Sequence, residues 1–130
     1  MKRGGILNPA ICSLLAELGH MDELLIVNAG YPLPSDAHVI DLTLTPGIPR
    51  FLDVLRAVAE ELVIEAVTVP AEIEDSPKLF AEVKRIVGEV DIDMVPHHEF
   101  NEQSLDVKGV IRTAEFTRHA NIRVLCGSAF

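Results

Sequence analysis

Five histidines carry most of the proton-transfer chemistry this sequence offers: His20, His38, His97, His98 and His119. Imidazole is the side chain whose charge changes between pH 5 and 8, so it can give or take a proton under ordinary conditions. His20 stands in the most informative setting. The stretch Leu18-Gly19-His20 closes an amphipathic pattern, and an apolar run then leads to Asn28-Ala29-Gly30. An imidazole just past a helix C-terminus meets the partial negative charge of the helix, which favours the protonated, proton-donating ring. Asn28, eight residues on, puts an uncharged amide at a strand end. The pattern predicts a pocket built around His20 and Asn28, joined by a second polar cluster from the C-terminal quarter.

Other chemistries lack their patterns. There is no GxGxxG, GxxxxGK[ST], GxSxG or HExxH, so nucleotide cofactors and the common hydrolase arrangements lose their usual support. Cys12 and Cys126 form no CxxC or zinc spacing and read as buried small hydrophobes of a reducing cytoplasm. No spacing marks a metal site. Asp41 and Asp53 are single carboxylates without an evident partner, which gives a two-carboxylate glycosidase no basis. Each polar group also has a plainer reading. His20 would satisfy a carbonyl at the helix end, His97 and His98 would be surface residues after Pro96, and Asn121 would be a turn residue. Arg112 would pair with acidic surface groups. The clusters Glu60-Glu61 and Glu72-Ile73-Glu74-Asp75 read as solvated faces or helix-start charges.

The totals narrow the class further. A chain of 130 residues, 48% hydrophobic, suits one domain with a real core. A net charge of -9 repels phosphate backbones and anionic membranes, so neither nucleic acid nor membrane is an expected partner. One Tyr and no Trp leave few rings for base stacking. No apolar run approaches a membrane span, and Asn8-Pro9 interrupts the basic start Met1 to Gly5, so no signal peptide is expected.

The elements that must position these groups follow from pattern. Asn8-Pro9 supplies an N-cap and N1. Ile11, Leu14, Leu15 and Leu18 form a helical stripe over 9–18, with Gly19 expected in the left-handed position after it. Leu24–Val27 reads as a strand covered on both faces, and Val39–Leu42 as a second. Pro49 opens a helix with Phe51, Leu52, Leu55, Val58, Ala59 and Leu62 on one side. Val63–Val69 is a strand ended by Pro70. Ser76-Pro77 repeats the N-cap and N1 pattern before a helix ended by Gly88. Asp91–Val95 is a strand, 97–105 a short helix or turn, and Gly109–Thr113 and Ile122–Cys126 two final strands. Alternating helices and strands predict a layered α/β domain with a mostly parallel sheet, and the last two strands leave room for an antiparallel edge. In such sheets ligands gather at strand C-terminal ends, where Asn28, Pro70 and Pro96-His97 lie.

Several short segments together resemble one known family. They are Gly5-Ile6-Leu7-Asn8, Leu18-Gly19-His20, Ala29-Gly30, Ile40-Asp41-Leu42, Pro46-Gly47-Ile48-Pro49, Val110-Ile111-Arg112-Thr113, Glu115-Phe116-Thr117 and Ala120-Asn121. In order and spacing they resemble the D-ribose pyranase and fucose mutarotase family, closest to the ribose pyranase branch, over the whole chain. The resemblance implies a single three-layer α/β/α domain, residues 1–130, with a mixed sheet. It implies cyclic homo-oligomers, pentameric rings either alone or stacked into decamers, with sites between neighbouring subunits. The implied activity is an isomerase reaction: interconversion of pyranose and furanose (or anomeric) forms of a free monosaccharide, foremost D-ribose, without metal or organic cofactor. Ring opening needs one proton delivered to the ring oxygen and one removed from the anomeric hydroxyl, which positioned acid–base groups can do.

The resemblance assigns His20 as proton donor and places Asn28, His97, His119, Ala120 and Asn121 at the substrate, with His98 as a substitute for His97. Three positions depart from the branch. Asn28 stands where it has aspartate, His119 where it has tyrosine, and Ala114 where it has glycine. The first departure motivates an alternative, a sugar-binding or regulatory oligomer that keeps the pocket without the chemistry. A metal-dependent isomerase using His20, His97 and His119 is a third reading.

Overall fold

Asn8 caps α1 (Pro9–Glu17), its Oδ1 accepting from the Ile11 N–H at 3.0 Å. Pro9 takes N1, where a missing N–H costs nothing. The computed structural model describes residues 1–130. After α1 come β1 (Glu23–Val27), β2 (Val39–Asp41), α2 (Phe51–Ala59), β3 (Ile64–Pro70), a 3-10 turn (Ala71–Asp75) and α3 (Pro77–Val87). They are followed by β4 (Asp91–Val95), α4 (His97–Gln103), β5 (Gly109–Arg112) and β6 (Ile122–Cys126). The sequence anticipated all of these but the 3-10 turn, which is too short to show a period.

The strands form one mixed sheet in the order β2-β5-β1-β6-β3-β4. β6 runs antiparallel to both β1 and β3, and every other pairing is parallel. The antiparallel strand is therefore interior, which corrects the expected antiparallel edge. β5 and β6 do not pair, because β1 lies between them. The physical reason is burial: Ile122, Val124 and Cys126 on one face and Arg123 on the other are all buried in the interior slot, whereas an edge would leave such a strand exposed.

β1 shows how the layers divide. Leu24 and Ile26 pack into the main core with α1, α2 and α3. Leu25 and Val27 point the other way, into a smaller core with Tyr31, Phe100 and Val110. All four are fully buried, as the continuous apolar run requires. The result is the expected α/β/α domain, with three helices on one face and α4 on the other. β5 begins on Gly109 because α1 presses there: a Cβ at this position would lie 2.6 Å from a Leu14 methyl.

Local details differ from expectation. Gly19 is not the left-handed residue. Gly19 to Asp22 form a turn, closed by the Asp22 N–H on the Gly19 carbonyl at 3.1 Å, and Met21 carries the positive φ of 74°. The Asp22 carboxylate accepts the Gly19 N–H at 2.7 Å. That bond, ahead of Lys108, holds the Asp22 carboxyl below its usual range. His20 thus sits at the corner of a turn rather than on a helix end. Ser76 precedes α3, but its hydroxyl makes no capping bond. Cys126 is buried as expected and Cys12 only half-buried. Burial, then the charges of Asp22 and Glu23, push the Cys126 thiol up to about 11.

Candidate functional site

Four neighbouring strands, β1, β6, β3 and β4, meet at one edge of the sheet, and each delivers a polar residue there. β1 ends at Asn28. β3 ends at Pro70 and the 3-10 turn places Glu72. β4 ends at Val95, and His97 begins α4. Because β6 runs against the others, its start lies at the same edge, which brings His119, Ala120 and Asn121 beside Asn28. A cavity of about 310 Å³ opens here, with Asn28, His97, Asn101, Arg118, His119 and Asn121 in its wall. That is the size of a small-molecule site. A second, larger hollow of about 470 Å³ beside it shares Asn28, Gly30 and Arg118 and adds Glu115 and Phe116.

The two asparagines form a matched pair. The main-chain N–H of Asn28 donates to Asn121 Oδ1 at 2.9 Å. Asn28 Nδ2 donates to the Thr117 carbonyl at 3.2 Å, which fixes the amide orientation, since a carbonyl only accepts. Asn28 is left with Oδ1 as a free acceptor and Asn121 with its Nδ2 as a free donor. Together they offer one acceptor and one donor, the complement of a hydroxyl group. The amide at residue 28 therefore presents the same hydrogen-bonding sense as a carboxylate would. Asn28→Asp is expected to turn a carboxylate oxygen on the Thr117 carbonyl and to lose that bond. A cost of roughly 1–3 kcal/mol in folding stability follows, measurable by urea denaturation at fixed protein concentration.

His97 and His119 face each other with ring centroids 5.4 Å apart and planes tilted by 50°. His119 adopts φ 61°, and its carbonyl accepts the Asn121 N–H at 2.9 Å. This tight left-handed turn aims both residues at one space. His97 is held from behind. Glu72 Oε2 lies 2.6 Å from Nδ1, and both carboxylate oxygens accept the His97 main-chain N–H at 3.1 Å. Those bonds, the Nδ1 contact foremost, depress the Glu72 carboxyl to about 2. Glu72, read from sequence as part of a solvated acidic cluster, is thus a partner of the site. The only trace in the sequence was its place two residues beyond the end of β3. His98 stands nearly perpendicular to His97 at 6.0 Å and is absent from the cavity wall. Ala120 is fully buried in the main core, so only its main chain can serve a ligand.

Arg112 and Asp41 sit further along the same edge. Their ion pair spans 3.7 Å, and Arg112 donates to the Tyr31 carbonyl at 3.0 Å. Asp41, thought partnerless, is also bound by Thr43 through both its hydroxyl and N–H, and Asp53 pairs with Arg56.

His20 does not join this cavity. It precedes β1, whereas Asn28 follows it, and a five-residue strand spans about 17 Å. Its Nε2 instead lies 3.3 Å from Glu65 Oε1, and both side chains are about half-exposed. The expected pocket around His20 and Asn28 within one chain is thus corrected, because a straight strand holds its two ends apart. For the same reason His20, His97 and His119 do not converge on a metal position in one chain. No group of three His, Cys, Asp or Glu forms a metal cluster, and no helix is long and apolar enough to cross a membrane.

Comparison with known proteins assigns this architecture. The D-ribose pyranase of Geobacillus kaustophilus is 44% identical over all of this chain and 96% of its own. That of Bacillus subtilis is 41% identical over the whole of both. The structure of Bacillus subtilis RbsD complexed with D-ribose superposes with a TM-score of 0.95 at 40% identity, covering both chains fully. A fucose mutarotase from Streptococcus pneumoniae, at 18% identity and a TM-score of 0.74 over 95% of each chain, shares the fold. The family model described as the RbsD / FucU transport protein family matches residues 1–129. With the match running from end to end, and identities above 40% over the full length, the chain belongs to the RbsD / FucU family.

Proposed function

We propose that the protein is a sugar mutarotase that interconverts the pyranose and furanose forms of D-ribose by acid–base catalysis. The observation that carries this reading is the full-length likeness to a relative complexed with D-ribose, joined to the cavity at the same edge as Asn28, His97, His119 and Asn121. The Asn28 acceptor and Asn121 donor bind one sugar hydroxyl, and His97 and His119 flank the ring. A binding protein without chemistry, the alternative that Asn28 raised, is not favoured, since the relatives are named for the reaction.

The remaining group is the proton donor. His20 lies at the far end of β1, so a second copy must bring it to the cavity. A head-to-tail contact does this, and such contacts form a ring when the rotation between copies closes. Exposed apolar side chains lie at both ends: Met21 and Val63 near His20, and Phe116 in the hollow beside the cavity. A pentameric ring, alone or stacked as a decamer, completes each site with His20 of a neighbour. The two unpaired cysteines accord with a cytoplasmic location, where a ribose isomerase meets free sugar.

Saturation-transfer NMR on the anomeric signal of β-ribopyranose tests the reading. Exchange with the furanose signals is expected to accelerate in proportion to protein. An unchanged exchange rate, with the assembly intact by light scattering, overturns it.

A further inference from the structure

Ring opening needs an acid and a base, and the reading above supplies only the acid. We propose that His97 is the base that takes the proton of the anomeric hydroxyl, and that Glu72 is the residue that positions it for that role. This rests on the ribose pyranase reading and extends it.

The geometry is that of a carboxylate-oriented imidazole. A carboxylate only accepts hydrogen bonds, so the 2.6 Å contact with Glu72 Oε2 requires the hydrogen to be on His97 Nδ1. In the neutral ring this leaves Nε2 bare, with its lone pair free and no hydrogen bond to protein. The two bonds from the His97 N–H to the same carboxylate anchor the first residue of α4 as well as the ring. The main chain at Glu72 is anchored, since Ile73 beside it is fully buried in the main core. When Nε2 takes a proton, the Glu72 charge stabilises the imidazolium that forms. No carboxylate is recorded against the ring of His119, 5.4 Å away, so the carboxylate singles out His97.

The step balances. The C1–O5 bond breaks and its electron pair goes to O5, which takes the proton of His20. The O1–H electron pair forms the second C1–O1 bond, and that proton passes to His97 Nε2. Closure on O4 reverses the traffic. O4 attacks C1 and gives its proton to His20, while O1 takes its proton back from His97. Both histidines return to their starting states, and nothing is oxidised or reduced.

The test pairs ribose exchange kinetics with ¹⁵N spectra of the histidine rings, on the intact assembly. Wild-type His97 is expected to show the hydrogen on Nδ1. Glu72→Gln is expected to slow exchange at saturating ribose about 10-fold or more, on the scale of lost outer partners of a histidine, while KM changes less than about threefold. Glu72→Asp keeps the charge and is expected to recover part of the rate. His97→Gln is expected to lose roughly 10²–10⁴-fold. A wild-type spectrum with the hydrogen on Nε2, or a Glu72→Gln variant with the wild-type rate, overturns the base assignment alone. A wild type without exchange activity overturns the pyranase reading and the base assignment together.

Discussion

An equimolar mixture of His20→Ala and His97→Ala subunits, refolded together, is expected to regain ribose exchange that neither variant shows alone. Each variant removes one side of the shared site, at a loss of roughly 10²–10⁴-fold. In mixed rings the missing His20 of one copy is supplied by the other variant. With random assembly about a quarter of the sites hold an intact His20 and an intact His97, so about a quarter of the wild-type rate returns. The prediction follows from the position of His20 before β1 and of the cavity after it. If both groups acted within one chain, every chain in the mixture would lack one of them and no activity would return. Exchange rates of the mixture and of the two separate variants, at equal total protein, decide between the two arrangements.

Phe100→Ala is expected to lower the free energy of unfolding by roughly 3–5 kcal/mol, the usual cost of emptying a buried aromatic site. Phe100 is fully buried. It meets Tyr31 edge-on at 6.2 Å and 88°, and the Arg123 guanidinium lies over its ring at 5.6 Å. The core on this face holds only five buried residues, so little neighbouring packing can close the gap. The consequence reaches the site, because α4 carries His97 at its start and is pinned by Phe100 in its middle. Arg123 fixes its far end through Ser104 and Gln103, at 2.9 and 3.0 Å, and is itself paired with Glu23 at 2.8 Å. Weaker ribose binding should accompany the lost stability. Urea denaturation at fixed protein concentration measures the first, and ribose titration calorimetry the second. Phe100→Leu, which refills much of the volume, should cost distinctly less; equal costs for the two variants would remove cavity formation as the cause.

Much of the fold could be read from local pattern. The Asn8-Pro9 start, the Gly88 stop and the continuous run Leu24–Val27 each state their structure within a few residues, since capping and burial act over that range. The candidate site residues came from the resemblance rather than from local pattern, and the fold places four of them, Asn28, His97, His119 and Asn121, in the wall of one cavity. Turn geometry was less legible. Gly19 looked like the left-handed residue, yet the Asp22 carboxylate captures its N–H and shifts the positive φ to Met21. A side-chain bond to the backbone overrode glycine's conformational freedom there.

The sequence by itself determined the elements, the α/β class and, through its resemblance, the family and its histidines. Only the tertiary structure decided how those residues are shared out. It inserted β6 backwards between β1 and β3, which carries Asn121 to Asn28 across 93 positions of chain. It set Glu72 behind His97 and left His20 at the opposite end of β1. The physical reason is that periodicity records which face of a strand is buried, while strand order and direction depend on how whole faces pack together. A residue's distant partner follows from that packing and leaves no local mark.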